Sequence, residues 1–215
     1  MILFDLDPTE YSPNYQALQV SNLKRQYDFL KSIVEASIAT NRIYVSQTVL
    51  KAFNFHAIVC LHSDAGQFRR CEVNLGTAKD AHEPPMWIYV QALMDDFVNQ
   101  INTNIATADP VVLASFALWR LNWIHPFING NGRTARLTAY YILCMRAGGM
   151  IKGATTLPEL LRRHRGEKAD PYVAALKLVD AGYKVGKLDL TPLHNLVSEL
   201  LSEQLDSEDA PPEDF

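Results

Sequence analysis

Residues 109–136 read DPVVLASFALWRLNWIHPFINGNGRTAR, and this stretch decides the fold. Asp109-Pro110 is typical of a helix start, with a capping side chain followed by proline at the first helical position. From Val111 to Ile124 the sequence is apolar almost all round, and Arg120 is its only charge. A helix without a polar face is buried in the middle of a bundle. We therefore expect a central helix that delivers His125 at its carboxyl end.

Further helical patterns surround this centre. A spacing of three to four between apolar residues predicts helices over residues 13–38, 86–101, 132–146, 171–181 and 192–205. Between residues 62 and 85, glycines, a short Cys71-Glu72-Val73 run and a proline pair indicate loops with one small hairpin. The expected fold is all-α, a mainly helical bundle with a small β-hairpin.

Length, composition and charge limit the class of protein. A chain of 215 residues, with 48% hydrophobic and 20% charged residues, is long enough for one domain with a substantial core. The net charge is −4, but residues 206–215 contain five acidic residues and no basic one, so the remainder is close to neutral. Residues 206–215 predict a disordered acidic tail. The neutral body gives no reason to expect nucleic-acid binding.

Cysteine usage and hydropathy indicate the compartment. Cys60, Cys71 and Cys144 cannot all pair, and their spacing matches no disulfide framework, which favours a reducing environment. The first ten residues carry acidic side chains where a signal peptide has basic ones. No apolar run reaches the length of about 18 residues that a membrane span needs. We expect a cytoplasmic protein without a membrane partner.

The loop after the central helix carries the chemistry. Gly130 and Gly132 permit a ligand to approach the backbone closely, and the amides that open the next helix favour phosphate. Arg133 and Arg136 lie three residues apart and share a helix face, where two guanidinium groups suit a di- or triphosphate. A neutral His125 at the loop's entrance has the chemistry to accept a proton from an attacking hydroxyl.

At these residues the sequence resembles the Fic family, whose signature is H-x-F-x-[D/E]-G-N-G-R-x-x-R. The fixed positions that match at the right spacing are His125, Phe127, Gly130, Asn131, Gly132, Arg133 and Arg136. The likeness extends over residues 66–149 and includes the Gly-Gln-Phe-Arg stretch at its start. The resemblance implies a single Fic-like domain over residues 1–205, with an N-terminal helical extension to about residue 60 and a core from about residue 61.

The resemblance also implies an activity and a role for each matching residue. Fic enzymes transfer AMP or a related group to protein hydroxyls, so the chain is expected to be a protein adenylyltransferase that uses ATP and Mg²⁺. His125 would be the general base for a Ser, Thr or Tyr hydroxyl of a target protein, and Phe127 would anchor the loop in the core. The nucleotide would be bound by Gly130, Asn131 and Gly132 at the α- and β-phosphates, by Arg133 and Arg136 at the β- and γ-phosphates, and by Tyr172 near the base.

Asn129 departs from the signature, which has Asp or Glu at this position. A carboxamide oxygen coordinates Mg²⁺ without the negative charge that a carboxylate supplies. Asn129 is therefore the candidate metal ligand, and two alternatives stay open. The chain transfers another group, such as UMP, phosphate or phosphocholine, or it is a nucleotide- or protein-binding module with impaired catalysis.

The resemblance implies two further functional segments. Gly76–Pro85 (GTAKDAHEPP) aligns with the family's flap, on which an extended target segment docks by β-augmentation. Many Fic proteins are inhibited by the glutamate of an [S/T]-x-x-x-E-[G/N] helix, which pairs with the second arginine. The nearest candidate here is Glu35, although the spacing from Ser32 is one residue short and a solvated carboxylate is the alternative. Inhibition by a separate small partner protein is equally open.

Overall fold

The computed structural model describes residues 10, 12–75, 82–164, 167 and 169–207. The helices in these ranges are α1 Pro13–Ala39, α2 Gln47–Ile58, α3 Val90–Asn104, α4 Pro110–Ile124, α5 Asn131–Ala147, α6 Leu157–Leu160, α7 Pro171–Lys184 and α8 Thr191–Asp206. A short 3-10 turn, Trp87–Tyr89, precedes α3. The predicted helical fold class is confirmed.

The pair α4 and α5 forms the centre of the molecule. These two helices pack against each other more extensively than any other pair among the described elements. Helices α1, α2 and α6 contact α5, while α3, α7 and α8 contact α4. Since both central helices are enclosed, α5 is buried along almost its whole length although its sequence is largely polar at the start. The loop that joins them, residues 125–130, is thus held on a rigid support.

The ends of the central helices have local causes. The Asp109 carboxylate accepts hydrogen bonds from the amides of Val111 and Val112 and so caps α4, as the sequence predicts. The helix ends at His125, which adopts a left-handed conformation with φ 50° and ψ 58°. Two left-handed glycines flank α5, Gly130 before it with φ 79° and Gly148 after it with φ 77°.

The N-terminal helices share the core of the central pair. Side chains such as Leu30 of α1 and Phe53 of α2 belong to the same buried cluster as Trp119 of α4. Asn54 of α2 is fully buried, donates to the carbonyl of Asn129 at 2.8 Å and accepts from the amide of residue 66 at 3.0 Å. The proposed boundary near residue 60 therefore divides two segments with a common core, and it stays a prediction.

The expected β-hairpin is not seen in the described residues. Residues 72–75 and 82–86 form neither strand nor helix, and residues 76–81, the centre of the predicted flap, lie outside the described ranges. The two arms are instead held by the buried Arg69, whose guanidinium donates to the carbonyls of Cys71 and Pro85. One side chain thus satisfies carbonyls that strand pairing was expected to satisfy.

The acidic tail is described only at its start. Asp206 is the last residue of α8, so the helix continues one residue into the segment that was predicted to be disordered. The remainder of that tail, from residue 208 on, lies outside the described residues. Within the described ranges, no helix combines the length and apolarity required to cross a membrane.

Gly130→Ala should destabilise the fold more than Gly148→Ala, although both glycines have a left-handed backbone. A Cβ at position 130 would lie 2.9 Å from both Asn54 Nδ2 and Ile58 Cγ2, whereas one at position 148 meets nothing within 4 Å. We expect a loss of about 1 kcal/mol at Gly148 from backbone strain alone. Overpacking should raise the loss at Gly130 to about 3 kcal/mol. Urea unfolding measures both, and equal losses would contradict this account.

Candidate active site

The side chain of Asn131 holds the loop between α4 and α5 from inside. Its Oδ1 accepts from the amide of Phe127 at 2.9 Å, and its Nδ2 donates to the Phe127 carbonyl at 2.8 Å. The Phe127 ring is fully buried beside Phe68, with ring centroids 5.3 Å apart. A carboxylate in place of the amide would lose the second bond because it has no donor. The loop is therefore fixed, as the anchoring role of Phe127 requires.

The loop ends where α5 exposes its first amides. No side chain caps this helix terminus, and the amides of a first helical turn have no intrahelical partners. Gly132 leaves room at this terminus, because a Cβ there would lie 3.3 Å from Nη1 of Arg136. Gly130 supplies the left-handed turn that aims the backbone into the helix. Gly130, Asn131 and Gly132 thus form an uncapped helix N-terminus, a structure whose free amides are suited to an anion.

Arg133 and Arg136 share a helix face but have different surroundings. Arg133 donates to the Ala57 carbonyl at 3.0 Å and to Asn129 Oδ1 at 3.1 Å, so it ties α2 to the loop. Arg136 lies near Tyr172, where burial raises the pKa of the phenol to about 12 and the positive charge of Arg136 opposes this shift. Both arginines are almost fully buried and border the same cleft.

This cleft, which we call the cationic cleft, has a volume of about 790 Å³. It lies between α1, α5 and the segment 153–163. Its positively charged lining residues are Lys24, Arg133, Arg136, Arg162 and Arg163, and Glu159 is the acidic one. Arg163 also pairs with Glu203 at 2.5 Å. The excess of positive charge beside the two signature arginines favours a polyanion.

His125 is held in the state that a general base needs. Its Nδ1 faces the Asn122 carbonyl at 3.4 Å; because a carbonyl only accepts, the proton lies on Nδ1 and Nε2 keeps its lone pair. Burial lowers the pKa of His125 to about 4; the hydrogen bond to Asn122 opposes this, and the nearby charges of Arg69 and His82 add to it. The imidazole is therefore neutral at pH 7.

Arg69 is the site residue that sequence reasoning missed. Its buried guanidinium donates through Nε to the His125 carbonyl at 2.8 Å, and its backbone amide donates to the Pro126 carbonyl at 2.8 Å. The last carbonyls of a helix have no intrahelical partner, and the negative end of the helix dipole favours a cation. The one signal in the sequence was its place in the Gly66–Arg69 stretch. This stretch is part of the resemblance to the Fic family, but the resemblance assigned no role to Arg69.

Asn129 does not fit a metal ligand in this structure. Its Oδ1 accepts from the amide of Gly130 at 2.6 Å and from Arg133 at 3.1 Å, so both lone pairs of the oxygen are used. Its Nδ2 points the other way and donates to Oε1 of Glu10 at 3.0 Å. Exchanging the two atoms would set an NH₂ group against two donors. In the described part of the chain, no three His, Cys, Asp or Glu side chains are grouped as metal ligands.

Tyr172 lies at the site, whereas Glu35 does not. The hydroxyl of Tyr172 accepts from Asn122 Nδ2 at 2.9 Å, and the side chain is almost fully buried. Glu35 is exposed on α1, which lines the cationic cleft only as far as Tyr27. Eight residues of helix separate Glu35 from Tyr27, which is about 12 Å along the axis. The acidic side chain that does reach the signature loop is Glu10.

The helical fold and the loop define a class of protein: a bundle that presents an uncapped helix terminus beside a neutral histidine. Residues 44–143 match the model of the Fic/DOC family, so this part of the chain is a Fic/DOC domain.

Relatives and solved structures agree with this assignment. The protein adenylyltransferase Fic of Drosophila erecta is 31% identical over 183 residues, which is 83% of this chain and 32% of the relative. The Drosophila melanogaster protein of the same name is 30% identical over the same lengths. The chain thus spans about a third of these curated relatives. Residues 134–508 of Fic-1 from C. elegans superpose with a TM-score of 0.65 at 25% identity, covering 87% of this chain and 49% of that one.

A bacterial structure extends the likeness of the fold. A Fic domain containing signaling protein from Bacteroides thetaiotaomicron has a TM-score of 0.67 at 19% identity, and the match covers 88% of this chain and 70% of that one. At this identity the likeness concerns the fold alone. The expected Fic fold is confirmed by both structures.

The protonation of His125 is directly measurable. We expect its ring resonances to titrate near pH 4 in an NMR experiment, well below the ordinary value near 6.5, because burial and two cations disfavour the charged form. A His125 midpoint at 6.5 or above would show that the ring is not held neutral.

Proposed function

We propose that the chain is a protein adenylyltransferase, which transfers AMP from ATP to a Ser, Thr or Tyr hydroxyl of a target protein. The observation that carries this proposal is the neutral His125, held at the entrance of a loop that ends in an anion-binding helix terminus. The fly relatives named protein adenylyltransferase Fic support the choice of reaction.

In the proposed reaction, Nε2 of His125 accepts the proton of the target hydroxyl as its oxygen attacks the α-phosphorus. The bond between the α-phosphorus and the bridging oxygen breaks, and pyrophosphate leaves with the electron pair. The amides at the start of α5 stabilise the charge on the α-phosphate oxygens. Arg136 and Arg133 offset the charge of the leaving pyrophosphate. Positioning and electrostatics thus supply most of the rate enhancement.

Mg²⁺ accompanies ATP in this proposal, but no step is assigned to it. Asn129 presents an NH₂ group where the signature has a carboxylate, so the metal would rest on the phosphates. The three free cysteines support a reducing, cytoplasmic location. The target protein would dock on Gly76–Pro85, and a small inhibitory partner would act through the cationic cleft, where it can reach Arg136. The inhibitory role of Glu35 stays a prediction.

The orientation of Asn129 favours two alternatives. Without a carboxylate at this position, the alternatives to AMP transfer are a transferase of another group, such as UMP, phosphate or phosphocholine, and a nucleotide- or protein-binding module with impaired catalysis. Both alternatives keep the helix terminus and the arginines and differ from the proposal only in the chemistry.

Incubation of the chain and a cell lysate with ATP labelled at the α- or at the γ-phosphate separates these functions. Protein label from the α-position alone supports AMP transfer. Label from the γ-position that appears with the unchanged chain and not with His125→Ala would replace the proposal with phosphate transfer. Binding of ATP without any transfer would leave the binding module, and label from α-labelled UTP in place of ATP would indicate UMP transfer.

His125→Ala should abolish AMP transfer and leave the ATP dissociation constant within about threefold, because the histidine acts on the hydroxyl and not on the phosphates. Calorimetry gives the affinity, and α-labelled ATP gives the transfer. A large loss of ATP affinity would contradict the assignment of His125 as base. Phe55→Ala, at an exposed aromatic of α2, serves as the control for handling and folding.

Asn129→Asp should lower the Mg²⁺ concentration for half-maximal transfer by a factor of about 5 to 150, equivalent to about 1–3 kcal/mol. A carboxylate at position 129 would face the carboxylate of Glu10, so the gain should be larger in Asn129→Asp with Glu10→Gln. Titration of Mg²⁺ at fixed ATP measures the effect, and Glu10→Gln alone is the matched control. A flat metal dependence in both variants would exclude position 129 from the metal site.

A further inference from the structure

Two side chains bind the carboxyl end of α4, and neither has a role in the proposed reaction as described above. Arg69 reaches the carbonyls of Ile124 and His125. The second is His82, whose Nε2 lies 2.7 Å from the Trp123 carbonyl. A carbonyl only accepts, so Nε2 carries a hydrogen and donates it. His82 therefore satisfies the carbonyl of Trp123 in the last turn of α4, two residues before His125.

His82 is itself held from two further sides. Its Nδ1 lies 3.8 Å from Oδ2 of Asp180 on α7, and its ring centroid lies 5.9 Å from that of Trp123. The other oxygen of Asp180 accepts from the indole Nε1 of Trp119 at 2.8 Å. Because Trp119 is in α4, Asp180 is anchored on the same helix that His82 caps. The imidazole thus joins the segment before α3 to both α4 and α7.

We propose that His82 is a positioning residue for His125: through its bond to the Trp123 carbonyl, it fixes the last turn of α4 and the orientation of the catalytic imidazole. The proposal rests on the proposed function of His125 as general base. The base must stay within hydrogen-bond reach of the target hydroxyl, and a shift of about 1 Å costs a large part of the rate. His82 does not touch the nucleotide in this proposal.

The charged groups around the carboxyl end of α4 affect the pKa of His125, which can be measured. Arg69 and His82 both add positive charge near His125, and Asp180 is the acidic group that faces His82. The guanidinium of Arg120 lies 4.6 Å from the Trp123 ring and within 3.7 Å of Asp96. Removal of the His82 ring takes away a positive neighbour of His125, so the pKa of His125 should rise toward its ordinary value.

Two substitutions separate the hydrogen bond of His82 from its charge. His82→Ala removes both, whereas His82→Gln keeps an Nε2 donor without a positive charge. We expect His82→Ala to lower kcat about tenfold and to leave the ATP dissociation constant within about twofold. His82→Gln should recover kcat to within about threefold, while the pKa of His125 measured by NMR rises in both variants. His194→Ala, at a half-buried histidine of α8, is the control and should change none of these quantities.

The outcomes distinguish the two proposals. If the unchanged chain transfers no AMP from α-labelled ATP, the proposed function fails, and the NMR ring resonances of His125 in His82→Ala and His82→Gln at pH 7 still show whether the imidazole keeps its position only when a donor is present. A kcat of His82→Ala equal to that of the His194→Ala control would overturn the positioning role. A kcat that His82→Gln fails to recover would also overturn it. If His82→Ala does not fold, Asp180→Asn carries the test: it keeps the acceptor for Trp119, and under the proposal it lowers kcat without weakening ATP binding.

Discussion

The buried guanidinium of Arg69 holds the carboxyl end of the central helix in the shape on which the candidate site depends. The helix leaves its last carbonyls without partners at the point where the chain turns into a left-handed residue, His125. Arg69 satisfies the His125 carbonyl and at the same time binds the carbonyls of Cys71 and Pro85 on the two arms of the flap region. Arg69 therefore fixes both the backbone of His125, which is the proposed base, and the end of the segment on which the target protein would dock. A lysine carries its three N–H donors on one compact nitrogen and lacks the planar fork with which a guanidinium spans separated carbonyls.

Much of the helical architecture follows from local sequence. Asp109-Pro110 predicts the start of the central helix, and the apolar run after it predicts a buried position, because a helix without a polar face has no stable place at a surface. The two signature arginines and the loop glycines are equally readable, since their spacing alone places them at one helix terminus. The lack of strand pairing in residues 72–75 and 82–86 was not predictable in the same way, because the Arg69 guanidinium holds the two arms and periodicity carries no record of that contact.

The site residues that sequence reasoning missed are those that act at long range. Arg69 lies 56 positions before the carbonyl that it binds, and His82 lies 41 positions before its own. Glu35 is exposed on α1, and a motif-like spacing on a helix does not say which residues face α5, so its inhibitory role stays a prediction. Glu10 lies just before the start of α1 and contacts Asn129 in the loop, and no local sequence pattern predicts this contact. At position 129 an amide stands where the signature has a carboxylate. Its Nδ2 is a donor and binds the carboxylate of Glu10, so the acidic group beside the loop belongs to Glu10.

The low pKa of His125 links nucleotide binding to the readiness of the base. Burial and two neighbouring cations hold the pKa of the ring at about 4, which keeps it neutral but makes it a weak base at pH 7. In the proposed function, a triphosphate brings negative charge to the same region and opposes the effect of Arg69 and His82. Negative charge near an imidazole raises its pKa, and a base whose pKa approaches the working pH accepts protons more effectively. The positive charge of Arg69 and His82 would therefore hold the base in check until the nucleotide brings negative charge to the same region.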